Sequence, residues 1–183
     1  MDDSKYNLEV FPRKGSALYN LQKADEIERK KTLKRWKKTN KYFVLPFYKI
    51  GLLPLFGFGK IFLILTTKGR KSGKMRKTPL EYRKKDGVVT IVSARGEKSD
   101  WLQNLRANPD EARVRCGFHR FTPRLEFIDN FEEKDHFIKY YVKNYGRAAK
   151  MLFGWNSKTD DPDTTDFSTL VNSITIICLH EKK

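Results

Sequence analysis

Six short apolar or alternating runs, separated by polar turns, dominate the chain after residue 60. The runs span residues 61–67, 78–83, 88–94, 112–116, 118–128 and 173–179. Short runs bounded by turn residues are typical of β-strands. Because few helical segments lie between them, they predict an antiparallel sheet or a small barrel rather than a parallel sheet. Pro123 lies in the fifth run and is expected to bend that strand or to place it at an edge.

Helical patterns occur between the later strands. Ser99 is expected to cap a helix over residues 100–107. Asn130 is expected to cap a second helix over residues 131–144, and residues 147–153 are expected to add one more helical turn. The predicted class is therefore α+β, mainly β, with helices flanking the sheet.

The first 59 residues differ in character from the rest of the chain. Residues 1–25 are mixed and polar and predict a loose segment. Residues 24–38 predict a helix whose acids come first and whose cations come last, as the helix dipole favours. Residues 41–59 are apolar and aromatic, but proline and glycine interrupt them too often for a membrane span. We therefore divide the chain into an N-terminal arm, residues 1–59, and a barrel domain, residues 60–183.

Two interpretations of the arm stay open at this point. Its aromatic part could cover the core of the domain or wall a ligand pocket. Alternatively, residues 24–59 could lie on an anionic membrane surface, because a basic helix precedes the aromatic segment.

Composition points to a negatively charged partner. The 183 residues carry a formal net charge of +16, which favours nucleic acid, an anionic membrane or a polyanionic ligand. No RNA-recognition signature is present, so nucleic acid is not expected. Cys116 and Cys178 are far apart and are interpreted as free thiols in a reducing, cytoplasmic compartment, since no signal peptide is visible. Cys116 and His119 lack a second ligand pair, so no metal site is expected.

Positive charge concentrates in one loop, residues 68–77, which we call the basic loop. It contains six cations and no acid: Lys68, Arg70, Lys71, Lys74, Arg76 and Lys77. Gly69, Ser72 and Gly73 would let backbone N–H groups form a nest for an anion, and arginine forks suit phosphate or carboxylate. The glycine spacing does not match the common P-loop motif. The alternative is a solvated basic hairpin loop without a ligand.

Three motifs together resemble the deazaflavin-dependent nitroreductase family, whose members use coenzyme F420 on a split β-barrel. They read LILTTKGRKSGKMRKTPLEY at residues 63–82, VSARG at residues 92–96 and DWLQNLRANP at residues 100–109. The resemblance covers about residues 60–130. Asp100 departs from the family pattern, which usually has proline or a similar residue before Trp101. Residues 131–172 do not align with that pattern.

The resemblance implies an FMN-binding-like split β-barrel of about six antiparallel strands, with flanking helices and an N-terminal helical arm. It also implies which residues bind the coenzyme. The phosphate-binding loop corresponds to Arg70, Lys71, Ser72 and Arg76; the segments beside the deazaflavin ring correspond to Thr78, Pro79, Leu80, Ser93, Ala94, Arg95 and Gly96; the closing helix contributes Trp101, Asn104 and Leu105.

The implied activity is hydride transfer between F420 and an electron-poor organic acceptor such as a quinone or an enone. Three alternatives are a non-catalytic F420 carrier, an FMN-dependent oxidoreductase on the same fold, and a basic nucleic-acid or membrane adaptor without a small ligand. No catalytic side chain is identified, although Tyr140, Tyr141 and Tyr145 are candidate proton donors. We expect a small-molecule acceptor as partner and a cytoplasmic location, with peripheral contact at the inner membrane face and a homodimer as open options.

Overall fold

A curled antiparallel sheet forms the body of the molecule. The computed structural model describes residues 10–22 and 25–182, without the side chain of Phe58. The strands are β1 (Phe62–Lys68), β2 (Met75–Lys85), β3 (Val88–Ser93), β4 (Arg113–Cys116), β5 (His119–Phe121), β6 (Pro123–Ile128) and β7 (Thr175–Glu181). Their order in the sheet is β5-β4-β1-β2-β3-β7-β6, and every neighbouring pair is antiparallel.

The connection between β5 and β6 closes the sheet into a barrel. These two strands lie at opposite edges of the sheet order, yet Thr122 alone separates them in the sequence. The sheet must therefore curl until its two edges meet, which is the predicted split β-barrel. Pro123 begins β6 and lies at the bend, as expected. The fifth predicted strand is thus divided into two, which raises the strand count from six to seven.

The barrel opens along part of β2. On one side, β2 pairs with β1 from Met75 to Glu81. On the other side, β2 pairs with β3 only from Tyr82 to Lys85. The first half of β2 therefore lacks a ladder partner on the β3 side, and we call this gap the split. Pro79 lies in this half, where its missing N–H costs no ladder hydrogen bond.

Eight α-helices are described around the barrel. They are α1 (Ala17–Gln22), α2 (Glu26–Thr39), α3 (Leu45–Lys49), α4 (Leu52–Leu55), α5 (Asp100–Ala107), α6 (Phe131–Asn144), α7 (Gly146–Phe153) and α8 (Ser168–Ser173). The bounds of α5 and α6 confirm the prediction. Asn130 caps α6, because its side chain accepts a hydrogen bond from the Glu133 backbone N–H at 3.0 Å. Ser99 makes no such bond to α5, since its hydroxyl contacts Ser93 instead.

Two apolar cores stabilise the domain. One fills the barrel and includes Leu63 and Ile91. The other lies beneath α6, α7 and α8 and includes Trp155 and Phe167. Phe11 and Leu18 are buried in this second core, so the predicted loose segment is wrong for residues 10–22. Burial of these large side chains fixes the segment, whereas residues 1–9 lie outside the described part of the chain.

The rest of the arm is helical and mostly exposed. Helix α2 buries none of its residues, and a π-helical turn, Asn40–Val44, joins it to α3. Tyr48 in α3 is the exception, because only 1% of it is exposed. Within the described ranges, no helix combines the length and apolar character that crossing a bilayer requires.

Candidate functional site

The basic loop is a tight hairpin connection between β1 and β2. The Gly69 N–H donates to the Lys74 carbonyl at 2.9 Å, and the Gly73 N–H donates to the Gly69 carbonyl at 2.7 Å. Gly73 has a φ of +64°, a conformation that side chains disfavour. A Cβ at Gly69 would lie 2.9 Å from the Ser72 hydroxyl, so this position also has no room for a side chain. The compact backbone leaves the cationic side chains facing outward.

Among the residues that the structure describes, only two cations of the basic loop have an acidic partner. Lys68 pairs with Glu111 at 3.4 Å, and Arg70 pairs with Asp100 at 3.4 Å. The remaining four are exposed and form no ion pair with any described residue: Lys71, Lys74, Arg76 and Lys77. Like charges this close repel one another, and a bound polyanion would relieve the repulsion. The loop therefore has the charge that a phosphate-bearing coenzyme requires.

Asn104 orients Arg70 from the side of α5. Its Oδ1 atom accepts hydrogen bonds from the Arg70 backbone N–H at 3.1 Å and from the Arg70 guanidinium at 3.0 Å. Asn104 is buried, so any effect of its side chain on a ligand would pass through Arg70. Its neighbour Leu105 is completely buried in the barrel core, and Trp101 packs partly against the same core. These apolar contacts hold α5 against the loop.

The two segments predicted to flank the deazaflavin ring lie on opposite sides of the split. Thr78, Pro79 and Leu80 lie in the half of β2 that is unpaired toward β3. The turn at residues 93–96 follows directly from the end of β3. The structure thus brings together two segments that are well separated in sequence. Backbone groups at an interrupted ladder are available to a ligand.

The turn at residues 93–96 is held by internal hydrogen bonds. The Ser93 hydroxyl donates to the Gly96 carbonyl at 2.8 Å. Gly96 has a φ of +49°, and a Cβ there would lie 2.9 Å from the Ser173 carbonyl oxygen. The side-chain amide of Gln22 donates to the Ala94 carbonyl. No sequence pattern points to Gln22, because it is far from the turn along the chain.

A polar cluster lies next to the split on β2 and α6. The Tyr141 hydroxyl donates to the Glu81 carboxylate at 2.8 Å, and Arg83 pairs with the same carboxylate. The Arg83 guanidinium lies 4.3 Å from the centre of the Tyr145 ring. Burial and the negative charge of Glu81 raise the pKa of Tyr141, which makes its hydroxyl a weaker acid than that of an ordinary tyrosine. Tyr140 does not join these hydrogen bonds; Lys85 lies over its ring at 4.7 Å.

Sequence reasoning named the tyrosines but missed their partners. Glu81 and Arg83 alternate with Tyr82 along β2, and this alternation could have assigned them to the same face of the strand. Their contact with α6 depends on how the helix packs, which the alternation does not reveal.

The predicted coenzyme-binding residues extend from the middle of β2, where Leu80 pairs with Leu63 near the start of β1, to the end of the barrel that carries the basic loop, which we call the basic end. The end of β1, the start of β2, the end of β3 and helix α5 meet there. Direct hydrogen bonds link only some of them, notably Arg70 to Asn104. Whether each one touches a coenzyme stays a prediction. Within the described part of the chain, no group of three or more His, Cys, Asp or Glu side chains forms a candidate metal site.

Comparison with known proteins gives a family match. Residues 55–151 match the family described as F420H(2)-dependent quinone reductase. A solved F420-H2 dependent reductase, FDR-A, is 26% identical over 66% of this chain and 95% of that chain, with a TM-score of 0.43. A structure described as a domain-swapped dimer has the same identity and TM-score and covers 66% of this chain and 81% of that chain. An FMN-binding protein of Nostoc punctiforme, related to pyridoxamine 5′-phosphate oxidase, is 16% identical over 68% of this chain and 71% of that chain, with a TM-score of 0.46.

Proposed function

Because the chain belongs to the F420H(2)-dependent quinone reductase family, we propose that it reduces an electron-poor organic acceptor, such as a quinone or an enone, at the split. Membership of this family shows the general activity without the acceptor: the protein is an F420-dependent oxidoreductase. The observation that carries the proposal is a set of four exposed cations that have no acidic partner in the described part of the chain and lie beside an interrupted ladder. That arrangement suits a ligand with a polyanionic tail and a flat ring.

Each part of the site has a separate task in this proposal. Lys71 and Arg76 bind the anionic part of the coenzyme, while Arg70 does so in the orientation that Asn104 imposes. The backbone on the two sides of the split binds the ring edge and fixes its orientation. The bound reduced coenzyme supplies the hydride, so the protein contributes positioning and electrostatics. The Glu81–Arg83–Tyr141 cluster borders the space in which the acceptor would lie.

Stopped-flow mixing with reduced F420 tests the acceptor class. The purified protein would be mixed with reduced F420 and one of three acceptors: menadione, cyclohexenone or an alkyl disulfide. We expect oxidation of the coenzyme with the quinone or the enone, and none with the disulfide. Binding of reduced F420 without oxidation by any acceptor would favour the carrier alternative. Tighter binding of FMN than of F420 would contradict the assigned site.

A second proposal concerns residues 24–59 of the arm, which we propose lie on an anionic membrane surface. Its support is exposure: Leu55 and Phe56 in and after α4 are 74% and 71% exposed. Other large exposed side chains of the arm are Ile27, Trp36, Tyr42, Phe43 and Ile50. The cations of α2 lie on the same arm and would be attracted to an anionic leaflet, each contributing up to about 1 kcal/mol. This location would bring the site close to lipid-soluble acceptors.

Vesicle sedimentation tests the membrane proposal. We expect the protein to sediment with phosphatidylglycerol vesicles at low salt, and to stay in solution with phosphatidylcholine vesicles or at high salt. Point substitutions are preferable to truncation, because Tyr48 is buried in the domain. Phe56→Ser, or Lys34→Glu together with Arg35→Glu, should reduce sedimentation. If both variants sediment as the parent does, the arm does not bind the membrane.

A second copy of the chain could cover the same apolar side chains. Analytical ultracentrifugation over a range of protein concentrations distinguishes this homodimer from the membrane-bound arrangement. A dimer that Phe56→Ser dissociates would assign the exposed arm to a subunit interface.

A further inference from the structure

The barrel contains a second concave site at the end opposite the basic loop. A cavity of about 330 Å³ opens to solvent where β1 begins, β2 and β4 end, and β7 ends. Residues from five strands line it, among them Tyr82, Val89, Cys116 and Phe121. The proposed coenzyme site uses none of these residues. The volume lies at the lower limit of typical small-molecule sites.

Three hydrogen bonds and one close backbone contact fix the loops around the mouth of this cavity. The Tyr82 hydroxyl donates to the Gly59 carbonyl at 2.7 Å. The Tyr48 hydroxyl accepts from the Gly117 N–H at 2.6 Å and donates to the Phe62 carbonyl at 2.9 Å. Gly59 and Gly117 touch closely, since a Cβ at Gly59 would lie 2.7 Å from the Gly117 Cα. The loops around the mouth are therefore fixed before any ligand arrives, which lowers the entropic cost of binding.

The rim of the cavity carries an excess of positive charge. Lys60 and Lys84 line it, and neither forms an ion pair with a residue in the described ranges. The Glu181 carboxylate is already engaged by the His119 ring at 3.0 Å. Exposed Phe118 completes the rim and extends the apolar surface outward. An apolar interior with cations at its mouth is complementary to an amphiphile that has an anionic head.

We propose that this cavity binds a medium-chain carboxylate, with the carboxylate at Lys60 and Lys84 and the alkyl chain among Val89, Cys116 and Phe121. The thiol of Cys116 is a neutral part of the wall at physiological pH, because burial raises its pKa to about 11. The inference is independent of the proposed function, since it concerns other residues at the other end of the barrel.

Isothermal titration with hexanoate, octanoate and decanoate, each below its micelle concentration, tests this site. Affinity should increase about fourfold for each added methylene until the cavity is full. Octanoate should bind more tightly than 1-octanol, and octylamine should bind most weakly. Binding that is absent, or equal for the acid, the alcohol and the amine, would overturn the proposal.

Variants locate the binding. Lys60→Glu and Lys84→Glu should each weaken octanoate binding at least threefold, whereas Lys150→Glu, which makes the same charge change at an exposed position of α7, should not. Val89→Trp should abolish binding by filling the cavity, with circular dichroism as the check on folding. Equal weakening by Lys150→Glu would show that only net charge matters. Saturating octanoate should leave the F420 dissociation constant unchanged, and competition between the two would place the carboxylate at the coenzyme site instead.

Discussion

The two ends of the barrel contrast in how far their polar groups are buried. At the basic end, four exposed cations lie together without acidic partners among the described residues. At the opposite end, which we call the arm end, Tyr48 and Tyr82 are buried and their hydroxyls hold three backbone segments together. Unpaired charge is tolerated at the first end because it stays in water, where repulsion is screened. The buried hydrogen bonds at the second end contribute to stability.

This contrast predicts that coenzyme binding and folding stability depend on different residues of one small domain. Substitutions of the exposed cations at the basic end should change coenzyme affinity with little effect on folding, whereas substitutions of the buried tyrosines at the arm end should lower stability with little effect on coenzyme affinity. Four experiments examine this separation, in order of decreasing expected effect.

The largest effect is expected from Tyr48→Ala at the arm end. Loss of a buried ring and its hydroxyl should lower the free energy of unfolding by about 3–5 kcal/mol, because it leaves a cavity and an unsatisfied Gly117 N–H. Tyr42→Ala is the matched control, since Tyr42 is 64% exposed and should change stability by less than about 0.5 kcal/mol. Urea denaturation measures both. Equal losses from the two variants would contradict the assigned role of the arm.

The next effect is expected from Lys71→Ala in the basic loop. Removal of one charge-assisted contact should cost about 1.5–3 kcal/mol of coenzyme binding, or about 10- to 100-fold in the dissociation constant. The free energy of unfolding should not change, because Lys71 is exposed. Lys150→Ala removes the same charge far from the loop along the chain and should leave affinity nearly constant. If Lys71→Ala binds F420 like the parent, the loop is only a solvated surface.

Alkaline pH should lower the free energy of unfolding through Cys116 at the arm end. Burial raises the pKa of Cys116 from 9.0 to about 11, so between these values the unfolded state loses this proton while the folded state keeps it. Stability should therefore fall as pH rises from 9 to 11. Burial also raises the pKa of Cys178. The comparison is therefore between the single variant Cys178→Ala and the double variant that carries both Cys178→Ala and Cys116→Ala. Thermal unfolding should show a shallower decline when Cys116 is absent; parallel curves would exclude this contribution.

The smallest effect concerns an acid at the basic end. Asp100 pairs with Arg70 at 3.4 Å and competes with an anionic ligand for the guanidinium. Asp100→Asn should tighten F420 binding by at most about fivefold, because an exposed ion pair contributes about 1 kcal/mol or less. Asp110→Asn removes the same charge from a pair with Lys182 and is the control. Fluorescence titration at low salt measures the difference, and equal tightening by both variants would assign it to net charge.

Local chemistry made much of the fold predictable. The bounds of α5 and α6 follow from their caps and stop signals, and the strands follow from short apolar runs between turns. The motifs from residue 63 to residue 109 also sufficed for the family, the coenzyme and the enzyme class, which the family match confirms. The division of the fifth strand at Thr122 was not foreseen, although Pro123 marked the place.

Long-range packing decided what the sequence left open. Residues 10–22 are not loose, because Phe11 shares a core with Trp155, which is distant in the chain. The contacts among Glu81, Arg83 and Tyr141 likewise needed α6 to lie against β2. Neither contact has a local signature, because apolar and polar residues at these positions are compatible with several partners.

The sequence by itself determined the charge of the basic loop and the antiparallel strands, since these depend on residue type and local spacing, and its motifs resembled a family whose coenzyme is F420. The tertiary structure alone decided that the ladder opens between β2 and β3, and that the two predicted ring segments lie on either side of that opening. It also decided that a second cavity lies at the arm end. The physical reason is that barrel closure brings distant strand ends together, and which ends meet depends on the pairing of the whole sheet rather than on any one segment.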